Sequence, residues 1–363
     1  MVEAAVTTVK YVALHLPQFH AIPENDEWWG KGFTEWRNVL KGRPRFRGHY
    51  QPHLPGALGF YDLTSPAARA AQAELAGRYG VDAFCYYHYW FRGRRLLERP
   101  VDEIVATGEP DFPFCLCWAN ESWSRRWDGR DEQVLMRQDY SEEDHHAHFG
   151  WLLSRFRDRR YLRIDERPLF LVYRAHDIPD VGAVTSLWRR LAHDAGLPGL
   201  YLVSVRNGWN ATFDPVRAGF DASMKFQPFW PHVDELWRRK TSSRLWQLGQ
   251  RLRSGRRDRV VSYSDFVEEA LAAAPPPFPE FPSVTPMWDN SVRRDENAVI
   301  LHSSSPRQFQ HWLAEATRRV VATSLPPVVF INAWNEWAEG NHLEPDQRHG
   351  LAYLKSVELA KRG

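Results

Sequence analysis

The sequence predicts an α/β fold, a (β/α)8 TIM barrel, on three observations. Eight short apolar runs of strand length recur along its 363 residues. Most are followed by a polar loop and then a segment of helical period. Polar and aromatic residues gather where each run ends. Strands alternating with helices build a parallel sheet, and eight of them in a chain of this length suggest closure into a barrel. An open doubly wound sheet is the alternative, but no run is followed by GxGxxG or by a P-loop.

The strand candidates are 11–16, 83–89, 114–118, 169–173, 201–205, 222–226, 284–288 and 328–333. Helical periodicity covers 66–79, 142–157, 181–195, 263–273, 306–323 and 351–361. Ser65 and Ser305 stand before Pro66 and Pro306, an N-cap followed by proline at the first helical position. Gly80 and Gly196 close their helices as left-handed caps. With no repeats or low-complexity tracts, one catalytic domain over 1–363 is expected. Two stretches break the alternation. The first βα connection, 18–62, is long and rich in Trp, Gly, Pro and His, and long loops in compact domains are often functional. An insertion near 230–260 is basic, its 237–259 part holding nine Lys/Arg against one Asp. It reads as a solvated insertion; a functional role would be contact with phosphates or peripheral contact with an anionic membrane surface.

The hydrophobic fraction of 43% and charged fraction of 25% suit a globular protein. No apolar run approaches the roughly 20 residues a membrane-spanning helix needs. The chain as written opens without a basic n-region, apolar h-region and cleavage site, so a cytoplasmic location is expected. Three cysteines, Cys85, Cys115 and Cys117, have no framework or zinc spacing and read as buried thiols. The aromatic fraction is 14%, with 17 tryptophans, whose flat faces suit sugar C–H surfaces. A net charge of +2 argues against a nucleic-acid partner.

The most informative stretch is PVVFINAWNEWAEGNHLEPD, 327–346. It begins as a strand buried on both faces and ends with Asn335, Glu336, Trp337 and Glu339. A carboxylate among indoles loses solvation, and its pKa rises toward that of a general acid near neutrality. Two carboxylates a few ångströms apart are the usual equipment for breaking a glycosidic bond. Glu336 and Glu339 are therefore the catalytic candidates.

A barrel carries its site at the C-terminal ends of its strands. The first run leads into His15, Gln18 and His20, and the second into His88, Tyr89 and Trp90. The third ends at Trp118, Asn120, Glu121 and Trp123; the fourth gives Tyr173, Arg174 and His176. The fifth and sixth offer Arg206, Asn207, Lys225 and Gln227, the seventh Trp288 and Asp289, the eighth Asn335 and Trp337. Eight ends with this many aromatics describe a carbohydrate-shaped cleft. Other chemistries are weaker. Glu142, Asp144, His145, His146 and His148 lack HExxH and open a helix, where acids favour the dipole. No metal and no cofactor is expected, and no GxSxG elbow occurs.

Five runs carry a resemblance: LPQFHAIPENDEWWGKGFTEW (16–36, ending at Trp36, a further substrate-binding candidate), GHYQPHLPGALGFYDL (48–63), CYYHYWFRGRRLLERP (85–100), FCLCWANESWSRRWDG (114–129) and INAWNEWAEGNHLEPD (331–346). The chain resembles the WbsX family, which is similar to glycoside hydrolase family 99. The resemblance implies a (β/α)8 barrel acting on α-linked, mannose-like residues of an oligo- or polysaccharide. It also implies retention of configuration through the sugar's own 2-hydroxyl, an exception to the two-carboxylate scheme. The NEWxEG motif of family 99 matches Asn335, Glu336, Trp337, Glu339 and Gly340. By that match Glu336 deprotonates the 2-hydroxyl, and Glu339 is acid to the leaving oxygen and then base to water. Asn341-His342 stands where family 99 usually has Thr-Gln, which bears on subsite preference. Members of the WbsX family are found with O-antigen and other surface-polysaccharide loci and are often labelled glycosyltransferases, which sets transfer in O-antigen or lipopolysaccharide biosynthesis beside hydrolysis. A transferase would normally bring a nucleotide-binding fold or a DxD motif, and neither is evident. A glycosidase is favoured; the alternatives are a glycosyltransferase or transglycosylase, and a non-catalytic sugar-binding domain.

Overall fold

The computed structural model describes residues 8–125, 130–209, 212–242, 258–294 and 296–362. Its centre is a ring of parallel strands: β1 (Lys10–His15), β2 (Ala83–Phe91), β3 (Phe114–Trp118), β4 (Arg167–Val172), β5 (Tyr201–Arg206), β6 (Ala222–Lys225), β7 (Glu280–Phe281 and Ser283–Val284) and β8 (Val328–Ile331). Each strand pairs with its neighbours in sequence, and β8 returns to β1 with Lys10 opposite Val328 and Ala13 opposite Ile331. Burial is nearly continuous along β1, β3, β4 and β8, as strands covered on both faces require.

Closure depends on β7. Its first half pairs with β6, with Ser223 opposite Glu280, and its second half pairs with β8, with Ser283 opposite Phe330. Pro282 lies between and has no N–H for the ladder. Its carbonyl still accepts from Phe330 N at 3.0 Å, so the ring continues across the interruption. The sequence placed this strand at 284–288, four residues too late, because the apolar Val284, Met287 and Trp288 outweighed the short strand around Pro282. Trp288–Asp289 instead pairs antiparallel with Val299–His302 in a small sheet above the barrel, and Arg259–Ser262 completes that sheet.

The outer helices are α1 (Pro66–Arg78), α2 (Arg99–Thr107), α3 (Glu142–Phe156), α4 (Val181–Asp194), α5 (Trp230–Thr241), α6 (Tyr263–Ala272), α7 (Pro306–Val321) and α8 (Ala352–Arg362). Ser65, Ser141, Ser262 and Ser305 cap α1, α3, α6 and α7, each hydroxyl accepting from a backbone N–H three residues on. Among the described residues β5 leads to β6 without a helix. Of the basic insertion, 230–241 is α5, and 243–257 lies outside the described residues. No helix of the described chain is long and apolar enough to cross a membrane. Cys85, Cys115 and Cys117 are buried free thiols in the barrel wall.

The long first connection has structure of its own. Two short helices, Pro23–Trp29 and Trp36–Val39, fold it over the barrel's C-terminal end. Phe19, Trp36, Tyr61 and Leu63 form a second apolar cluster there with Trp337 and Ala338. The turn after β8 thus packs against the loop after β1.

Candidate active site

Beyond β8 the chain makes a two-residue ladder, Asn335–Glu336 against Asn341–His342, around a 3-10 turn, Trp337–Glu339. Gly340 turns back with φ 54°, and a Cβ there would meet Asp289 Cβ at 3.0 Å, so both backbone hand and space favour glycine. Trp337 anchors the turn inward: its ring stacks on His342 at 3.7 Å, and its N–H donates to Glu344 Oε2 at 2.7 Å. Glu344 also accepts from Tyr61 and Gln72. Burial pushes its pKa up to about 7 against these hydrogen bonds.

Glu336 and Glu339 consequently face one cation. Arg293 Nη2 lies 2.8 Å from Glu336 Oε1, and Nη1 lies 3.0 Å from Glu339 Oε1. The same guanidinium meets Glu35 Oε1 at 3.0 Å, and Glu35 is fully buried. The small upper sheet delivers Arg293: Asn290 bonds Val299 through backbone and side chain, and Arg293 N donates to Asn290 O at 3.1 Å. Burial raises the pKa of Glu336 well above the ordinary carboxylate range; Arg293 opposes this, while Glu339 and Glu35 reinforce it. Burial likewise raises Glu339, again opposed by Arg293. Burial works against the charge on Arg293, yet Glu336, Glu35 and Glu339 hold its pKa above the usual value. Three carboxylates on one guanidinium favour retention of a proton by the cluster.

The carboxylates form one wall of an open cleft of about 240 Å³. A single water needs roughly 10–15 Å³, so the space admits a larger ligand. Of the residues expected at the site, Gln18, Tyr89, Glu121, Trp123, Tyr173 and Trp288 line this cleft with Glu336 and Glu339. Tyr87, Trp209, Trp230 and Arg293 line it as well.

The remaining expected residues lie off the cleft. His88 and Trp90 join His148 and Trp151 between β2 and α3; Trp90 Nε1 donates to Asp144 at 2.9 Å. Successive side chains on a strand point to opposite faces, so Tyr87 and Tyr89 reach the cleft while His88 and Trp90 reach the helix layer. Trp118 follows the second pattern, packed on Trp188 and His148. His15 contacts Gln72 at 3.3 Å, and Trp36 packs on Phe19 and Trp337. Asn120 ties its loop to the Arg174 backbone, and Gln227 accepts from Phe229 N. Arg206 is paired with Glu280 at 2.5 Å, and Asp289 accepts from Gln51 and meets His49 at 2.6 Å. Asn335 accepts from Leu16 N at 2.8 Å and donates to Leu16 O at 3.0 Å, joining β1 to the turn.

Arg293 and Glu35 escaped the sequence reading. Glu35 adjoins Trp36 in a quoted run, and the run of charges at Arg293-Arg294-Asp295-Glu296 was the available signal for the other. Neither neighbourhood reveals that the two meet.

A ring of parallel strands wrapped by helices, with the carboxylates at its C-terminal mouth, is a (β/α)8 barrel, similar to family 99 in fold. The chain belongs to the family described as Glycosyltransferase WbsX, whose sequence profile matches residues 11–357. It is 44% identical over 351 residues to the uncharacterised protein WxcX of Xanthomonas campestris pv. campestris strain B100, and 42% identical to WxcX of a second strain. Those alignments take in 96% of this chain and 49% of WxcX, so the chain spans about half the length of these relatives. Among solved structures, a glycoside hydrolase-like protein superposes with TM-score 0.60 at 14% identity, covering 97% of this chain and 94% of its own. The GH99 endo-alpha-mannosidase from Bacteroides thetaiotaomicron superposes with TM-score 0.56 at 13% identity, covering 96% of both chains. These likenesses concern the fold.

Proposed function

We propose that this protein is a glycoside hydrolase acting on α-linked, mannose-like residues of a bacterial surface polysaccharide. The observation that carries the reading is the pair Glu336 and Glu339 held on one guanidinium beside an aromatic cleft. Aromatic faces suit sugar rings, and burial supplies the raised carboxyl pKa a general acid needs.

Following the family 99 motif match, Glu336 takes the proton of the 2-hydroxyl as that oxygen attacks C1. The C1 bond to the leaving oxygen breaks, and Glu339 donates its proton there. Water then enters, loses a proton to Glu339 and opens the 1,2-anhydro ring at C1, while Glu336 returns its proton to O2. Configuration is retained. Arg293 keeps at least one carboxylate ionised throughout, and half-buried Glu339 has the access that exchange with solvent requires. Trp123, Trp288, Tyr89 and Tyr173 would bind the sugar rings, and Trp337, Asn335 and Trp36 would fix the turn.

The test is a proton-NMR time course on α-mannan oligosaccharides and purified surface polysaccharide. Release of an α-configured product first, absent with Glu339→Gln, supports the reading; a β-configured first product or no cleavage of any α-linked substrate rejects it. A second reading, transfer of a sugar during lipopolysaccharide biosynthesis, is favoured by the family's description alone.

A further inference from the structure

Behind the catalytic turn, two imidazoles meet at an angle with their nitrogens facing. His53 Nδ1 and His342 Nε2 stand 3.0 Å apart, and both residues are buried. The far nitrogen of each ring faces a backbone carbonyl: His53 Nε2 at 3.1 Å from Tyr50 O, and His342 Nδ1 at 2.9 Å from Glu344 O. A carbonyl only accepts, so each far nitrogen must carry its ring's proton. Two neutral rings hold two protons, and three contacts need three. The two facing nitrogens are therefore left with a lone pair each, directed at one another.

An electron-pair acceptor between the rings resolves this conflict, and a third donor is at hand. The carboxylate of Asp346, also buried, offers an oxygen, and one ligand atom from each of the three residues lies within 4.8 Å of the other two. We propose that His53, His342 and Asp346 bind one divalent transition-metal ion, zinc foremost, clamping the first βα connection to the turn that carries Glu336 and Glu339.

The donor set selects the metal class. Two imidazoles and a carboxylate suit zinc and its first-row neighbours, whereas calcium and magnesium prefer all-oxygen shells. Nitrogens at 2.0–2.1 Å from a tetrahedral zinc would stand ~3.3 Å apart, close to the separation seen here. Far-nitrogen bonds to carbonyls are the usual means of fixing the tautomer of a ligating histidine. His53 also lines a cavity of about 80 Å³, large enough for water on its side of the site.

The clamp would act on the candidate active site through packing. Trp337, between Glu336 and Glu339 in sequence, stacks on His342. The two segments already exchange backbone bonds, Gly56 N to Pro345 O at 2.7 Å and Gln347 N to Leu54 O at 2.9 Å, and the ion would lock that pairing.

Calorimetric titration of chelator-stripped protein with zinc chloride tests the site, with thermal unfolding as a second readout. One zinc per chain is expected, with a higher melting temperature when loaded. His53→Gln and Asp346→Asn should each weaken binding, roughly 100-fold or more for the histidine, and erase the melting shift. Should His342→Gln fail to fold, these two variants, which leave the His342 ring under Trp337, still decide the matter. Cobalt loading should give the intense visible bands of a tetrahedral site in the wild type and not in His53→Gln. Absence of zinc binding by the folded wild type, or equal binding by wild type and both variants, would overturn the proposal.

Discussion

Arg293 and Glu336 form a buried ion pair at 2.8 Å, and the guanidinium is shared with Glu339 and Glu35. Coupling follows from this sharing. A change at any one member alters the charge the others experience, so titration of the site belongs to the cluster.

The first expected consequence concerns Arg293. Arg293→Lys keeps the charge but cannot donate to three carboxylates in a fork. Turnover should fall by roughly 100-fold or more, the loss typical of a removed electrostatic contact at a reacting centre. The acidic limb of the pH–rate profile should move to higher pH, because an ammonium that cannot span all three carboxylates opposes the upward push of burial on Glu336 less closely. A lysine variant with an unmoved limb would remove Arg293 from the ionisation of the base. Full truncation is less informative, since stripping a buried ion cluster of its cation costs about 3–5 kcal/mol.

Glu339→Gln should depress cleavage of natural oligosaccharides by about 10²–10⁴-fold, the contribution of a positioned acid. Aryl glycosides with good leaving groups need less protonation and should lose less. Equal losses on the two substrate types would point away from acid catalysis by Glu339.

Stability should change in the opposite direction. Burial raises the folded-state pKa of Glu336 above its unfolded value, so the folded protein holds more protons between the two. Stability then falls as pH rises through that window, beginning near the ordinary glutamate value of about 4.3. Glu336→Gln removes this penalty and leaves two carboxylates on Arg293. The variant should be inactive yet more stable than wild type at pH 8, by on the order of 1 kcal/mol, with the gain shrinking toward pH 4. Melting curves at the two pH values decide it; a variant less stable at pH 8 would mean that the ion pair outweighs the desolvation.

The aromatics expected at the strand ends divide between the cleft and the helix layer. Trp123→Ala and Trp288→Ala should raise KM or lower kcat/KM by about tenfold, as expected when a stacking face is lost. Trp90→Phe should leave kcat/KM nearly unchanged while lowering stability by about 1–3 kcal/mol, because Asp144 loses a buried donor. A kinetic defect in Trp90→Phe as large as in Trp123→Ala would contradict this division.

That division also marks what could be read in the sequence. The barrel was legible because apolar runs and helical period are local signals, and β7 was misplaced where a proline and a two-residue ladder made the signal weakest. Taking each strand end whole drew His88 with Tyr89, although alternate residues face opposite layers, and Trp118 with Trp123, which lies on a separate short strand beyond β3. Arg293 and Glu35 were invisible for another reason: more than 250 residues separate them, and only the folded loops set them on the same carboxylates. Asn335 was read for its amide chemistry, but a carboxamide that bonds both the N–H and the C=O of Leu16 cannot be told from a sugar-binding one by spacing.

The last expectation separates hydrolysis from transfer. A transferase must stabilise a departing nucleoside diphosphate, which calls for a metal or several cations and backbone donors near the reacting carbon. The cations at strand ends that could have met this need are engaged: Arg174 with Glu121 at 2.9 Å, Arg206 with Glu280 at 2.5 Å, and Lys225 with Glu280 at 3.6 Å. Arg293 is committed to three carboxylates, and a diphosphate beside them would add like charge to a site already rich in it. No sugar nucleotide is therefore expected to bind, with or without manganese. A calorimetric panel of sugar nucleotides measures this directly. Micromolar binding of any one of them, lost in Arg206→Gln or Glu336→Gln, would establish the transferase reading in place of the hydrolase.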